Sequence, residues 1–139
     1  MATTIREAMT PKPITLKDSA TAMEAARAMR DSNIGDIIVY KDDHLCGIVT
    51  DRDIVIRVLA EGKDPSKTKL ESICSKEVTT LSPLQTTDDA VKLMRQKAIR
   101  RIPVVEDGKA VGIVSIGDLA IRLDRRSALA DVTAAQPNR

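Results

Sequence analysis

The chain carries the same pattern twice. Residues 5–60 lie over residues 70–125 after a shift of 65 positions, without a gap, and 16 of the 56 aligned pairs are identical. Chance alone gives about three or four identities at that length. The best-matched stretch sets Gly47-Ile48-Val49-Thr50-Asp51-Arg52-Asp53-Ile54 over Gly112-Ile113-Val114-Ser115-Ile116-Gly117-Asp118-Leu119. Two copies point to a pseudo-twofold pair around one shared core, because a solenoid needs at least about three units.

With 139 residues in all, each copy is too small to be comfortably stable alone and is expected to bury its apolar face on the other. The pattern divides the chain into residues 5–60, a polar linker over 61–69, residues 70–125, and a tail over 126–139 expected to be partly disordered. Apolar residues make up 42% and charged residues 30%, and the net charge of +2 gives no global attraction to nucleic acid. No apolar run approaches the length of a membrane span, and the opening Met1-Ala2-Thr3-Thr4-Ile5-Arg6-Glu7 lacks the apolar core of a signal peptide. A cytoplasmic location without membrane contact is expected.

Aromatic residues are almost absent: there is no Trp, no Phe, and a single Tyr, Tyr40. The chain therefore lacks the stacking platforms that hold single-stranded nucleic acid, and a planar ligand must sit between aliphatic side chains and backbone. Cys46 and Cys74 align with Val111 and Met9, which are core-type positions, so both are expected as buried free thiols.

Each copy reads as the same succession of elements. An extended segment (Pro13 to Lys17; Val78 to Ser82) leads into a helix over 21–32 or 86–98, with expected core stripes at Met23, Ala26 and Met29 and at Val91, Met94 and Ala98. Two strands follow, 37–40 and 45–49 in one copy and 102–105 and 110–114 in the other, each pair joined by a polar turn. A second helix begins after them, with apolar bodies over 54–60 and 119–123. A short helix within residues 1–9 is stopped by Pro11 and has a counterpart in residues 70–74. Pro103 stands where the first copy has Ile38, so its strand lacks an amide there and must lie at an edge or face a ligand.

The chemistry-bearing pattern is Thr50-x-x-Asp53 and Ser115-x-x-Asp118, each at a strand end and a helix start. The spacing is that of a capping box, which satisfies orphan amides and nothing more. The same junction also presents free amides and a positive dipole end where a phosphate can sit. A carboxylate beside each junction is suited to accept from the two hydroxyls of a ribose.

A second constellation is basic. Residues 92–101 hold Lys92, Arg95, Lys97, Arg100 and Arg101 with no acid, whereas residues 27–36 balance Arg27 and Arg30 with Asp31 and Asp36. The helical cations read as a solvated face; Arg100 and Arg101 immediately precede a strand, where contact with a phosphate and a plain surface role both remain open. Arg52, inside the first junction, is open to the same two readings. Catalytic chemistry is poorly supplied: the one histidine, His44, lies in a hairpin turn, and neither a metal-ligand spacing nor a Gly-x-x-x-x-Gly-Lys phosphate loop occurs.

Two copies of a unit opening near Met9-Thr10-Pro11, with Arg100-Arg101-Ile102-Pro103-Val104-Val105 before a hairpin and Gly-Ile-Val-Thr/Ser-x-x-Asp after it, resemble a tandem pair of CBS domains. These cystathionine-β-synthase-type repeats form what is called a Bateman module. The resemblance spans about residues 5–125. It implies an α/β protein of the α+β type, with two β-α-β-β-α repeats related by pseudo-twofold symmetry, sheets packed face to face, and two clefts that in many relatives bind adenine nucleotides or other adenosyl compounds.

Carried over residue by residue, the resemblance implies that Asp53 and Asp118 bind ribose hydroxyls and that Thr50 and Ser115 approach phosphate. Backbone at Ile37 to Val39, and at Ile102, Pro103 and Val104, would read the base, with Ile14 and Thr15, or Thr79 and Thr80, across the cleft. The basic position before the central strand maps to Arg101. The first copy departs from the pattern there, with Asp36 and Gly35 in place of Arg101 and Arg100.

The chain is thus expected to be a stand-alone, non-catalytic sensor of an adenosine-containing ligand such as AMP, ADP, ATP, NAD or S-adenosylmethionine. It would use no catalytic cofactor or metal and signal through a homodimer or a regulated partner protein. The competing expectation is an interaction or dimerisation module whose clefts are degenerate and whose Thr50 and Ser115 only cap helices.

Overall fold

The computed structural model describes residues 3–74 and 78–123; the tail over 126–139 lies outside the described residues. It is a mixed α/β chain with two small three-stranded sheets. In order the elements are helix α1 (Ile5–Ala8), strands β1 (Thr10–Pro11) and β2 (Thr15–Lys17), helix α2 (Ala22–Ser32), strands β3 (Asp36–Lys41) and β4 (His44–Thr50), and helix α3 (Asp51–Ile54). A π-helical turn (Val55–Leu59) and a 3-10 turn (Leu70–Ser72) precede helix α4 (Thr87–Lys97), strands β5 (Arg101–Glu106) and β6 (Lys109–Ser115), and helix α5 (Ile116–Leu123).

Two compact units emerge, and their boundaries do not follow the order of the chain. One gathers Ile14–Val78; the other combines Met1–Pro13 with Thr79–Arg139. Each repeat's leading segment therefore joins the unit built by the other repeat's body. In the unit of residues 14–78, β2 runs parallel to β3 through the α2 crossover and β3 pairs antiparallel with β4. Ala22, Ala25 and Met29 of α2 cover Ile37, Val39 and Val49 of the sheet, and Ile54, Val58, Leu70, Ile73 and Cys74 complete that core. In the other unit, β6 lies between β1 and β5, and Ile5 of α1 joins Leu81, Ala90, Met94, Ile102, Val104, Val114 and Leu119.

Local chemistry explains the helix and turn positions. Thr21 accepts from the Glu24 amide at the start of α2, and Thr86 with Asp89 forms a reciprocal box at the start of α4. Both helices end on a left-handed residue, Asn33 (φ 56°) and Ala98 (φ 53°). In the second hairpin, Asp107 and Gly108 are both left-handed (φ 54° and 79°), as a tight two-residue turn requires. The ladder shifts register between Val39 and Tyr40 and again between Val104 and Val105, positions equivalent in the repeat.

Three expectations need correction. The buried stripes are Ala22, Ala25 and Met29 on α2 and Thr87, Ala90 and Met94 on α4: Met29 and Met94 are as expected, Ala26 and Val91 pack beside the cores only half-buried, Met23 is half-buried one residue from Ala22, and Ala98 is exposed as the cap of α4. Small side chains nearest the sheet let each helix approach it closely, and the larger ones flank the contact. Cys46 is only half-buried, although Cys74 is buried; neither forms a disulfide. The extended segment of the second copy makes no strand, only one parallel bridge between Leu81 and Val104. Pro103 is the cause: where the Ile38 amide donates to the Ile14 carbonyl (3.0 Å), Pro103 has no hydrogen to offer Thr79. As required of a proline in a sheet, it lies on β5, an edge strand.

Candidate functional site

The two Thr/Ser-x-x-Asp junctions fold alike, one in each unit. At the end of β4 the Thr50 amide donates to Asp53 Oδ2 (2.9 Å) and the Asp53 amide to Thr50 Oγ1 (3.1 Å). At the end of β6 the Ser115 amide donates to Asp118 Oδ2 (2.9 Å) and the Asp118 amide to Ser115 Oγ (3.1 Å). Both are complete capping boxes. A cap consumes one lone pair of each carboxylate, and a carboxylate has about four acceptor sites. Capping and ligand contact are therefore compatible, and the cap fixes the carboxylate's orientation in advance.

The hairpins bring the preceding residues against these junctions. The Asp51 amide donates to the Gly35 carbonyl (3.0 Å), and the Ile116 amide donates to the Arg100 carbonyl (2.9 Å). Across the ladders Asp36 stands opposite Thr50 and Arg101 opposite Ser115. The two adjacent arginines part company: Arg101 opens β5, while Arg100 lines an apolar groove of about 580 Å³ between α4 and α5, with Arg95, Met94, Ile116 and Leu119. Arg52 is exposed, and its amide donates to Asp51 Oδ1 (2.8 Å).

Ile37, Val39, Ile102 and Val104 are fully buried in the two cores, so a ligand at these strands can meet only their backbone. In the first unit Ile14 and Thr15 are exposed at the start of β2, and Ile14 gives its carbonyl to Ile38. In the second, Thr79 is half-buried and Thr80 exposed, both outside any strand, while Leu81 donates to the Pro103 carbonyl (3.0 Å) and accepts from the Val105 amide (2.8 Å). The strand edges beside the two junctions thus differ in hydrogen bonding as well as in charge.

One residue absent from the expected set stands beside the first junction. Arg57 Nε lies 3.8 Å from Asp53 Oδ1, and its Nη1 donates to the Ile73 carbonyl (2.8 Å). The sequence signal was present in the four-residue spacing from Asp53. Among the described residues no group of three or more His, Cys, Asp or Glu could hold a metal ion, and no helix is long and apolar enough to cross a membrane.

Comparison with known proteins agrees with this architecture. The CBS domain family model matches residues 5–60 and again 70–125. The CBS domain-containing protein YhcV of Bacillus subtilis is 38% identical over 117 residues, which cover 84% of this chain and 83% of that protein. A putative signal-transduction protein with CBS domains from Burkholderia ambifaria superposes with a TM-score of 0.81 at 30% identity, covering 90% of this chain and 96% of that one. The CBS domain pair of protein MJ0100, solved in complex with 5-methylthioadenosine and S-adenosyl-L-methionine, gives a TM-score of 0.81 at 27% identity over 91% of this chain and all of that one. With both repeats matched across most of its length, the chain belongs to the CBS domain family as a tandem pair.

Proposed function

We propose that this CBS pair is a non-catalytic, cytoplasmic regulatory module that binds an adenosine-containing ligand at its hydroxyl–carboxylate junctions. Asp53 and Asp118 take ribose hydroxyls, Thr50 and Ser115 lie toward phosphate, and backbone at 37–39 and 102–104 meets the base. The observation that carries this reading is the duplicated junction, in which each carboxylate is held by its cap with acceptor capacity remaining. The adenosyl compounds held by the MJ0100 pair support it. Occupancy is transmitted through a homodimer or a regulated partner protein; Val55 and Leu59, 54% and 58% exposed, and the groove between α4 and α5 are apolar surfaces suited to a second copy.

Mass spectrometry of small molecules released from the purified protein tests ligand class directly. A thermal-shift panel of AMP, ATP, NAD and S-adenosylmethionine tests it independently, since ligand at 100 times its dissociation constant adds about 2.7 kcal/mol of stability. Sedimentation at micromolar concentration tests the dimer, and a clean monomer refutes it. A second reading, a ligand-free interaction or dimerisation module, draws on the capping boxes themselves, which give Thr50, Asp53, Ser115 and Asp118 a structural role at the helix starts. A flat response across the panel with no copurifying adenosyl compound decides for it.

A further inference from the structure

The Ile73 carbonyl and the Asp53 carboxylate share one guanidinium. Arg57 stands on the π-helical turn Val55–Leu59, a rare backbone form that recurs at functional sites, and is about half exposed. Its Nη1 donates to Ile73 (2.8 Å) while its Nε faces Asp53 Oδ1 (3.8 Å), and Asp53, with its side chain 15% exposed, is held on its other oxygen by the Thr50 amide. The segment receiving the first contact begins the second repeat yet belongs to the first repeat's core: Leu70, Ile73 and Cys74 are 0%, 1% and 4% exposed. It is held there by the Leu70 amide donating to the Ala20 carbonyl (2.8 Å) and the Glu71 amide to the Asp18 carbonyl (3.0 Å), while the Ile73 and Cys74 amides return to the Leu70 carbonyl (3.1 and 2.9 Å) and close its turn. Beyond it, the chain continues to Thr79 and the other unit.

We propose that Arg57 is a positioning residue that couples the Asp53 carboxylate to the docking of residues 70–74. The carbonyl of docked Ile73 fixes the guanidinium, and the fixed guanidinium favours one setting of an ionised Asp53. A planar fork with separate Nε and Nη donors can hold both partners at once, which a lysine ammonium on a single stem does not reproduce. Linkage is reciprocal: whatever strengthens the Asp53 setting strengthens docking of 70–74, and tension on 70–74 weakens that setting. Resting on the adenosyl-ligand reading, the consequence is that ribose at Asp53 protects the segment from which the chain leaves for the other unit.

Amide hydrogen exchange at Leu70, Ile73 and Cys74 tests the coupling without ligand, in the full chain and in Arg57→Ala, Arg57→Lys, Asp53→Asn and the Arg57→Ala/Asp53→Asn double variant. Asparagine keeps an acceptor for the Thr50 amide while removing the charge. Arg57→Ala is expected to speed exchange by about three- to tenfold and Asp53→Asn by less, with the double variant no faster than Arg57→Ala. Arg57→Lys, which keeps the charge and most of the stem, is expected to behave like Arg57→Ala at these amides while melting near the wild-type temperature. Unchanged rates in Arg57→Ala, a double variant accelerated by the product of the single effects, or full rescue by lysine each overturn the proposal. With saturating S-adenosylmethionine or ATP, slowed exchange at the three amides in wild type and none in Arg57→Lys extends the coupling to ligand. Absence of any binding to wild type refutes the ligand reading instead, and the ligand-free cycle still decides the role of Arg57.

Discussion

Arg101 faces Ser115 across the β5–β6 ladder, at the position where the other repeat sets Asp36 against Thr50. One junction therefore carries a cation at its strand entrance and the other an anion, on hairpin ladders of the same register. Opposite charges at equivalent sites are expected to divide the proposed ligand binding: the junction at Ser115 should favour a phosphorylated ligand, and the one at Thr50 should disfavour it.

Calorimetry with adenosine and with AMP or ATP, at low and moderate salt, measures that division. Arg101→Ala is expected to erase most of the affinity gained from phosphate, tenfold or more for a charge-assisted bond worth about 1.5–3 kcal/mol, and to leave adenosine binding nearly intact. Equal losses for both ligands, or none for either, defeat the assignment.

Replacing Asp118 by Asn separates ligand contact from capping. Asparagine can still accept from the Ser115 amide that Asp118 now receives at 2.9 Å. Adenosyl-ligand affinity is expected to fall about tenfold as the charge-assisted ribose bonds are lost, with a smaller change in melting temperature. A collapse in melting temperature with unchanged affinity in the folded fraction shows instead that Asp118 serves the helix alone.

Gly112 is required by the strand that crosses it. A Cβ there falls 2.5 Å from Met9 Sδ and 2.9 Å from the Thr10 carbonyl oxygen, where β1 pairs with β6. The methionine can swing away, but the carbonyl belongs to the ladder. Gly112→Ala is expected to cost about 1–3 kcal/mol in urea denaturation, as overpacking does, and to loosen the leading segment first. Wild-type stability in that variant shows that β1 is not held against β6.

The acid limb of stability should report Asp89. The Thr86 amide that donates to its carboxylate (3.0 Å) is the main reason that its pKa lies below the ordinary aspartate value of about 3.9. Because the folded value lies below the unfolded one, its contribution is fully present above the unfolded pKa and drains away as pH falls through the folded one. Asp89→Asn should flatten that part of the stability profile below about pH 4. An unchanged slope there removes Asp89 from the acid response.

The sequence by itself determined the doubled fold, the hairpin positions and the two Thr/Ser-x-x-Asp junctions with their capping-box spacing. These features rest on interactions three or four residues apart, or on a repeat that shows each twice, so a linear reading detects them. Pro103 was legible as an edge residue because losing an amide is a property of the residue itself. Only the tertiary structure decided that Ile5–Ala8 serves the unit of the second repeat's body, or that Leu70–Cys74 completes the core of the first. It also decided that Arg100 lines a helical groove while Arg101 faces Ser115, and that Arg57 reaches Ile73. Contacts such as Arg6 with Glu106, a hundred residues apart at 2.6 Å, leave no periodic trace, because which surfaces meet depends on how the whole chain closes.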